Sequence, residues 1–235
     1  MSSVYKSGGI PSVLARNSSW IDCSDIEGCR RYCDSDAWAE IGRRCAGIPV
    51  EDVHFIDSGD YHYLSLLWIL KIDKPFVLIV FDHHTDAQAP AFEGLISCGG
   101  WVEEAVEKNP RLEHAYIVGC RRDHGGDAPV TNPKITLLDH LTEITSLPDL
   151  PVYLSIDKDV LAGLPSDWDN GDMPLEELLD GVASLRDRLL AVDICGECTR
   201  EGIKLHERVN ELITNTLNYD FHKRENPDPA RTDAG

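Results

Sequence analysis

The amino-acid sequence predicts an α/β protein: one three-layer αβα domain over residues 1–224, built on a mostly parallel sheet, with a disordered tail over 225–235. Three observations predict it. Short, continuous apolar runs bounded by turn residues recur along the chain, as expected of strands covered on both faces. Segments with helical periodicity alternate with them, which is the pattern of repeated β-α units. At 235 residues, 42% of them hydrophobic, the chain can bury one large core and has little left over for a second.

The first clear strand is VHFI (53–56), followed by a helical pattern over 61–72. FVLIVF (76–81) is six apolar residues long, and a helix is expected over 99–108. HAYIVGC (114–120) and VYLSI (152–156) are further strands. A helix over 174–188 opens on Pro174, Glu176 and Glu177; the fixed φ of proline and two acids both suit a first turn. LLAVDI (189–194) and a helix over 203–218 complete the series. Right-handed crossovers bring all strand carboxyl ends to one rim. The first twenty residues carry no clear pattern. WIDCSDIEGCRRYC (20–33) is amphipathic, with cysteines suited to packing. ENPDPARTDAG (225–235) is polar, contains two prolines and has nothing to bury, hence the expected tail.

Charge narrows the function. Lys+Arg 22 against Asp+Glu 41 gives a formal net charge of -19, which repels phosphate backbones and anionic lipid surfaces and attracts cations. Neither nucleic acid nor membrane is expected as a partner. The amino end has no apolar signal segment, and the greasiest runs, YLSLLWIL and FVLIVF, are too short to span a bilayer. The eight cysteines are scattered rather than arranged as a dense disulfide framework, so they read as reduced thiols. The expectation is a soluble, cytoplasmic protein.

The chemistry concentrates at strand ends. FVLIVF runs into Asp82-His83-His84-Thr85-Asp86, and VYLSI runs into Asp157-Lys158-Asp159. In open parallel sheets ligands bind beyond the strand carboxyl ends. Alternate residues of extended chain share a side, so Asp82, His84 and Asp86 can converge while His83 and Thr85 turn away. Asp157 and Asp159 obey the same rule, with Lys158 pointing elsewhere in a structural role. His62, in SGDYHYLS after the first strand, is a further candidate. Carboxylates gathered on one rim repel each other and resist desolvation unless cations balance them. A set of aspartates and histidines with no thiolate near favours Mn²⁺ over a structural Zn²⁺.

Together these motifs resemble the metal-dependent ureohydrolases (arginase, agmatinase, formiminoglutamase) of the arginase/deacetylase fold. SGDYH resembles the family's G-G-D-H segment, DHHTD its D-A-H-x-D, and SIDKD its S-x-D-x-D. The resemblance runs from about His54 to Glu197. It implies two Mn²⁺ ions, one held by His62, Asp82, Asp86 and Asp157, the other by Asp82, His84, Asp157 and Asp159. Asp82 and Asp157 would bridge. It further implies that Asp86 handles the proton of the attacking water. Glu197 would receive a guanidinium group, although it stands one residue beyond the aligned place, which Gly196 occupies.

Departures bear on the substrate. Gln88, Ser97 and Trp101 stand at or near places where arginases hold the amino-acid end of arginine and shuttle protons. Trp101 replaces the shuttle histidine, and an indole cannot relay a proton as imidazole does. His83 and His124 are the alternative shuttles. The expected substrate is a guanidino compound that is decarboxylated, or an arginine side chain within a peptide, cleaved with release of urea; WDNGDM (168–173) is a candidate rim segment. Assembly into a homo-oligomer is compatible with this reading. Two other readings are a zinc deacylase on the same fold, using Asp82, His84 and Asp157, and a metal-binding protein without turnover.

Overall fold

The computed structural model describes residues 2–5 (backbone), 19–89, 92–120, 129–197 and 202–218. His124, Cys198 and the expected tail lie outside these. Among the described residues, ten strands run in chain order: β1 Ser2–Tyr5, β2 Ser19–Asp22, β3 Tyr32–Cys33, β4 Val53–Ile56, β5 Phe76–Phe81, β6 Ile96–Ser97, β7 Leu112–Val118, β8 Ile135–Leu138, β9 Val152–Asp157 and β10 Leu189–Cys195. Five helices accompany them: α1 Ser35–Arg44, α2 Leu66–Ile69, α3 Trp101–Lys108, α4 Leu175–Leu185 and α5 Ile203–Thr216. Eight strands form one sheet in the order β2-β1-β4-β10-β9-β5-β7-β8, and all of its pairings among the described residues are parallel. β3 and β6 make a separate antiparallel pair.

The apolar strand runs are buried on both sides, and the two-residue period divides them between two cores. In β5, Phe76, Leu78 and Val80 face a core shared with α1, α2 and α3, whereas Val77, Ile79 and Phe81 face one shared with α4 and α5. The same split holds in β9, where Tyr153 belongs to the first core and Val152, Leu154 and Ile156 to the second. Truncating one of these large central side chains, Phe81 for example, removes about 3–5 kcal/mol.

Several elements differ from expectation. The helix over 61–72 is a 3₁₀ segment, Gly59–Ser65, leading into the single turn of α2. Residues 20–33, read only as amphipathic, hold part of β2, a turn region and β3. α1 and β8 had no counterpart in the periodicity argument. α1 carries a local signal nonetheless: the Asp34 side chain accepts from the Asp36 and Ala37 N–H groups, and Arg43 and Arg44 close its last turn.

Candidate metal centre

The ends of β5 and β9, at the centre of the sheet, and the segment after β4 supply the polar side chains. Asp82 follows β5 directly, and its Oδ1 accepts the His84 N–H at 2.6 Å. Asp157 ends β9, and its Oδ1 accepts the Asp159 N–H at 3.0 Å, capping the 3₁₀ turn 158–160. Asp159 Oδ1 in turn accepts the His83 N–H at 3.2 Å, tying the two loops together. His62 comes from the 3₁₀ segment after β4. Asp86 sits at φ 44, a left-handed conformation unusual for a side chain other than asparagine, aspartate or glycine. Its carbonyl accepts from the Val102 N–H at 2.9 Å and its Oδ2 from the Trp101 indole N–H at 2.7 Å, which hold that conformation.

The six candidate ligands meet. His62 Nδ1 lies 3.1 Å from Asp82 Oδ2, 3.0 Å from Asp86 Oδ2 and 3.6 Å from Asp157 Oδ2. His84 Nδ1 lies 3.0 Å from Asp159 Oδ2 and 3.6 Å from Asp82 Oδ1. His62–Asp82–Asp86 and Asp82–His84–Asp159 each present donor atoms close enough to share one ion.

The tautomer of His62 follows from its other side. The single Ser155 hydroxyl proton is donated to Asp193 Oδ1 at 2.6 Å, so Ser155 Oγ accepts from His62 Nε2–H at 2.8 Å. Tyr153 fixes Asp193 by donating to Oδ2 at 2.7 Å. Nδ1 therefore faces three carboxylates, which favour positive charge there, whether a proton on the ring or a bound metal ion. Both His62 Nδ1 and Asp82 Oδ2 are buried without a hydrogen bond, as donors to a common ion would be.

Electrostatics agrees. Burial and the Asp82 charge push Asp86 up to about 6, and burial with Asp157 and Asp82 pushes Asp159 well above the usual carboxylate range. Burial and the charge of Asp82 also raise Asp157. Burial alone would disfavour charge on the imidazoles, but the surrounding acids outweigh it. His84 is raised to about 12, and His62 is raised well above its ordinary value by Cys195, Asp82 and Asp86. Burial works to raise Asp82 as well, yet the two imidazoles hold it below its ordinary value. Four carboxylates face two imidazoles, so the acids remain in excess even when both rings are protonated.

A cavity of about 140 Å³ opens onto this cluster, lined among others by Gly59, Thr85, Gln88, Cys98 and Trp168. Gly59 has no room for a side chain: a Cβ there would stand 2.9 Å from Asp157 Oδ2. Of the residues expected to hold substrate, Gln88 lines the cavity. Ser97 does not, its place in the wall being taken by Cys98 and Gly99. Trp101 is fully buried behind the cluster, tilted against His62 with ring centroids 4.7 Å apart.

The expected role of Glu197 needs correction. Its carboxylate is turned from the cavity and accepts from Lys158 Nζ at 2.6 Å and Asn210 Nδ2 at 2.7 Å. Gly196, at φ 82, backs onto Asp157; a Cβ there would lie 2.3 Å from Asp157 Oδ1, so no carboxylate can project from that position either. His83 points, as alternation predicts, into a different cavity beside His140 and Asn170.

The expectation of a centre without a thiol nearby is also corrected. Cys195, at the end of β10 and paired in register with Asp157, places its Sγ 3.1 Å from Asp157 Oδ2. The strand period of Asp193 and Cys195 was readable in the sequence, but the register that sets them beside Ser155 and Asp157 was not.

Comparison with known proteins fits the geometry. No protein-family model matches the chain. An uncharacterised protein of Thermotoga maritima is 37% identical over 149 residues, which is 62% of this chain and 58% of that protein, so the match spans less than two thirds of the relative's length. The agmatine ureohydrolase of Thermoplasma volcanium superposes with a TM-score of 0.59 at 13% identity, covering 86% of this chain and 72% of that one. The arginase from Bacillus cereus gives 0.59 at 16% identity, covering 86% and 84%. The chain shares the fold of the arginase and agmatinase ureohydrolases.

Proposed function

We propose that the protein is a metal-dependent hydrolase of C–N bonds in amidino or guanidino groups, working at two adjacent divalent cation positions. The observation that carries this reading is the buried, hydrogen-bond-free pair His62 Nδ1 and Asp82 Oδ2 within an acid-rich cluster open to a cavity. His62, Asp82, Asp86 and Asp157 would hold one ion, and Asp82, His84, Asp157 and Asp159 the other. Mn²⁺ is the assignment for the position on the His84 side, whose donors are carboxylate oxygens and an imidazole. Bound divalent cations supply a nucleophile at neutral pH and polarise the bond attacked.

The chain's own residues do the rest. Trp101 fixes Asp86 Oδ2, which leaves Asp86 Oδ1 to take the proton of the attacking water and return it to the departing amine. Trp168 borders the cavity, and Arg31 already stacks on this indole with its guanidinium carbon 4.4 Å from the ring centroid, while the excess of acids favours a cationic group in the cavity. Gln88, held by a hydrogen bond to Thr85 Oγ1 at 3.2 Å, positions the remainder of the substrate. A small guanidino compound and an arginine side chain in a peptide both suit a pocket whose lining, among the described residues, includes no arginine or lysine to hold a carboxylate.

The test is urea release by the Mn²⁺-loaded protein over arginine, agmatine, guanidinobutyrate and arginine-containing peptides. Turnover of at least one of these, abolished in Asp86→Asn assayed with Mn²⁺ in excess, is expected. Bound metal with silence across the panel would overturn the hydrolase reading. A single bound Zn²⁺ with deacylase activity would replace it.

A further inference from the structure

The cluster contains a donor that the sequence motifs do not include. Cys195 is fully buried, and its Sγ, a His62 ring nitrogen and an Asp157 carboxylate oxygen all lie within 4.8 Å of one another. That spacing lets three donors converge on one ion with small side-chain adjustments, to about 2.0–2.3 Å from a common centre. The second side chain aimed into the same space is His62, 1% exposed, whose Nδ1 has no hydrogen-bond partner and lies 3.6 Å from Asp157 Oδ2. Position in the sheet fixes the thiol: Cys195 is in register with Asp157 and Asp193 with Ser155, so strand pairing carries both the sulfur and the anchor of His62.

We infer that Cys195 is a sulfur ligand to the cation held by His62 and Asp157. This rests on the metal-centre reading above and deepens it. On binding, the thiol proton leaves to solvent and the sulfur takes the place of its S–H hydrogen bond to Asp157. The two positions then differ in chemistry. The one on the His84 side has oxygen and imidazole donors alone and suits Mn²⁺. The one on the His62 side carries a soft donor and selects zinc, cobalt or ferrous iron over manganese.

Cobalt reconstitution tests this without any substrate. The full-length protein is stripped with chelator and titrated with Co²⁺ while absorbance and bound metal are measured. Wild type is expected to show a near-ultraviolet thiolate-to-cobalt charge-transfer band. Cys195→Ser is expected to lose the band while still binding cobalt, and to lower zinc affinity relative to manganese by about tenfold or more. Cys98→Ser and Cys198→Ser should keep the band, and thermal melts of the chelated proteins check that each variant is folded. A band that survives in Cys195→Ser, or follows Cys98 or Cys198 instead, would overturn the inference. Two bound cobalt ions without any sulfur band would overturn this inference and leave the metal centre standing. Absence of bound cobalt in wild type would overturn both.

Discussion

Asp157, Lys158 and Asp159 are consecutive, yet they serve two buried polar clusters of opposite character. The side chains of Asp157 and Asp159 enter the cavity cluster with His62, Asp82, His84 and Asp86. The Lys158 ammonium, 0% exposed, goes the other way, to Glu197 at 2.6 Å and Asn210 at 3.0 Å. The second cluster pairs one cation with one anion and an amide, with the His206 ring 3.9 Å from the other Glu197 oxygen. The first has acids in excess and an open side. Burial of charge is tolerable in the one because its partners are all protein, and in the other only if something from solution completes it. That difference separates a structural ion pair from a candidate site more sharply than the burial or the charge of any single residue.

The largest expected effect tests the open cluster. Asp82→Ala or Asp157→Ala should reduce bound metal from about two ions per chain to none, because each aspartate is assigned to both positions. Elemental analysis after dialysis measures this, and one tightly held ion in either variant would break the bridging assignment.

Next in size is the second cluster. Lys158→Met leaves the Glu197 carboxylate buried and unpaired, which should cost about 3–5 kcal/mol in denaturant unfolding. Removing both charges in Lys158→Met/Glu197→Leu should recover most of that loss. If the single variant were as stable as wild type, the contrast between the clusters would fail.

The two clusters should also respond oppositely to pH in the metal-free protein. Asp86, raised to about 6 from 3.8 by burial and Asp82, contributes stability below pH 3.8 that is lost as pH rises through about 6. Glu197 behaves the other way: burial opposes its charge but Lys158 outweighs burial, so its folded pKa is depressed. Its stability is present above the unfolded value of 4.5 and is lost as pH falls through the lower folded value. Chelated wild type should therefore lose, relative to chelated Asp86→Asn, on the order of 2 kcal/mol between pH 4 and 7. Equal pH profiles for the two proteins would remove Asp86 from the repelling set.

The smaller effects lie behind and beside the site. Trp101→Phe keeps the ring against His62 but removes the N–H to Asp86, and should weaken metal binding about 10–100-fold in competition with a chelating dye. His83→Ala should leave metal content unchanged, since its ring lines a different cavity; a large loss would mean that the wrong imidazole of the pair had been chosen.

The legible parts of the molecule are those set by local periodicity. VHFI and FVLIVF became strands over the residues the alternation argument named, and Asp82, His84 and Asp86 turned to one side with His83 to the other. β8, Ile135–Leu138, the edge strand beside β7, had no counterpart in the sequence reading. α1 was missed because its start rests on the Asp34 cap, a signal weaker than a long apolar stripe. Glu197 was misread for a different reason. Its position beside the end of a strand was correct, but Gly196 at φ 82 redirects the chain, and only packing reveals that Lys158 is waiting on the other side.

The sequence by itself determined the α/β layering, the strand ends and the acids and imidazoles placed there, because each of these follows from a period of two or 3.6 residues or from a short contiguous motif. The tertiary structure alone decided which groups share a neighbourhood: Cys195 beside Asp157, Trp101 on Asp86, the Ser155–Asp193 anchor under His62 and the Lys158–Glu197 pair. Those contacts join residues 15 to 93 positions apart, and they depend on strand order and register, which no local period encodes.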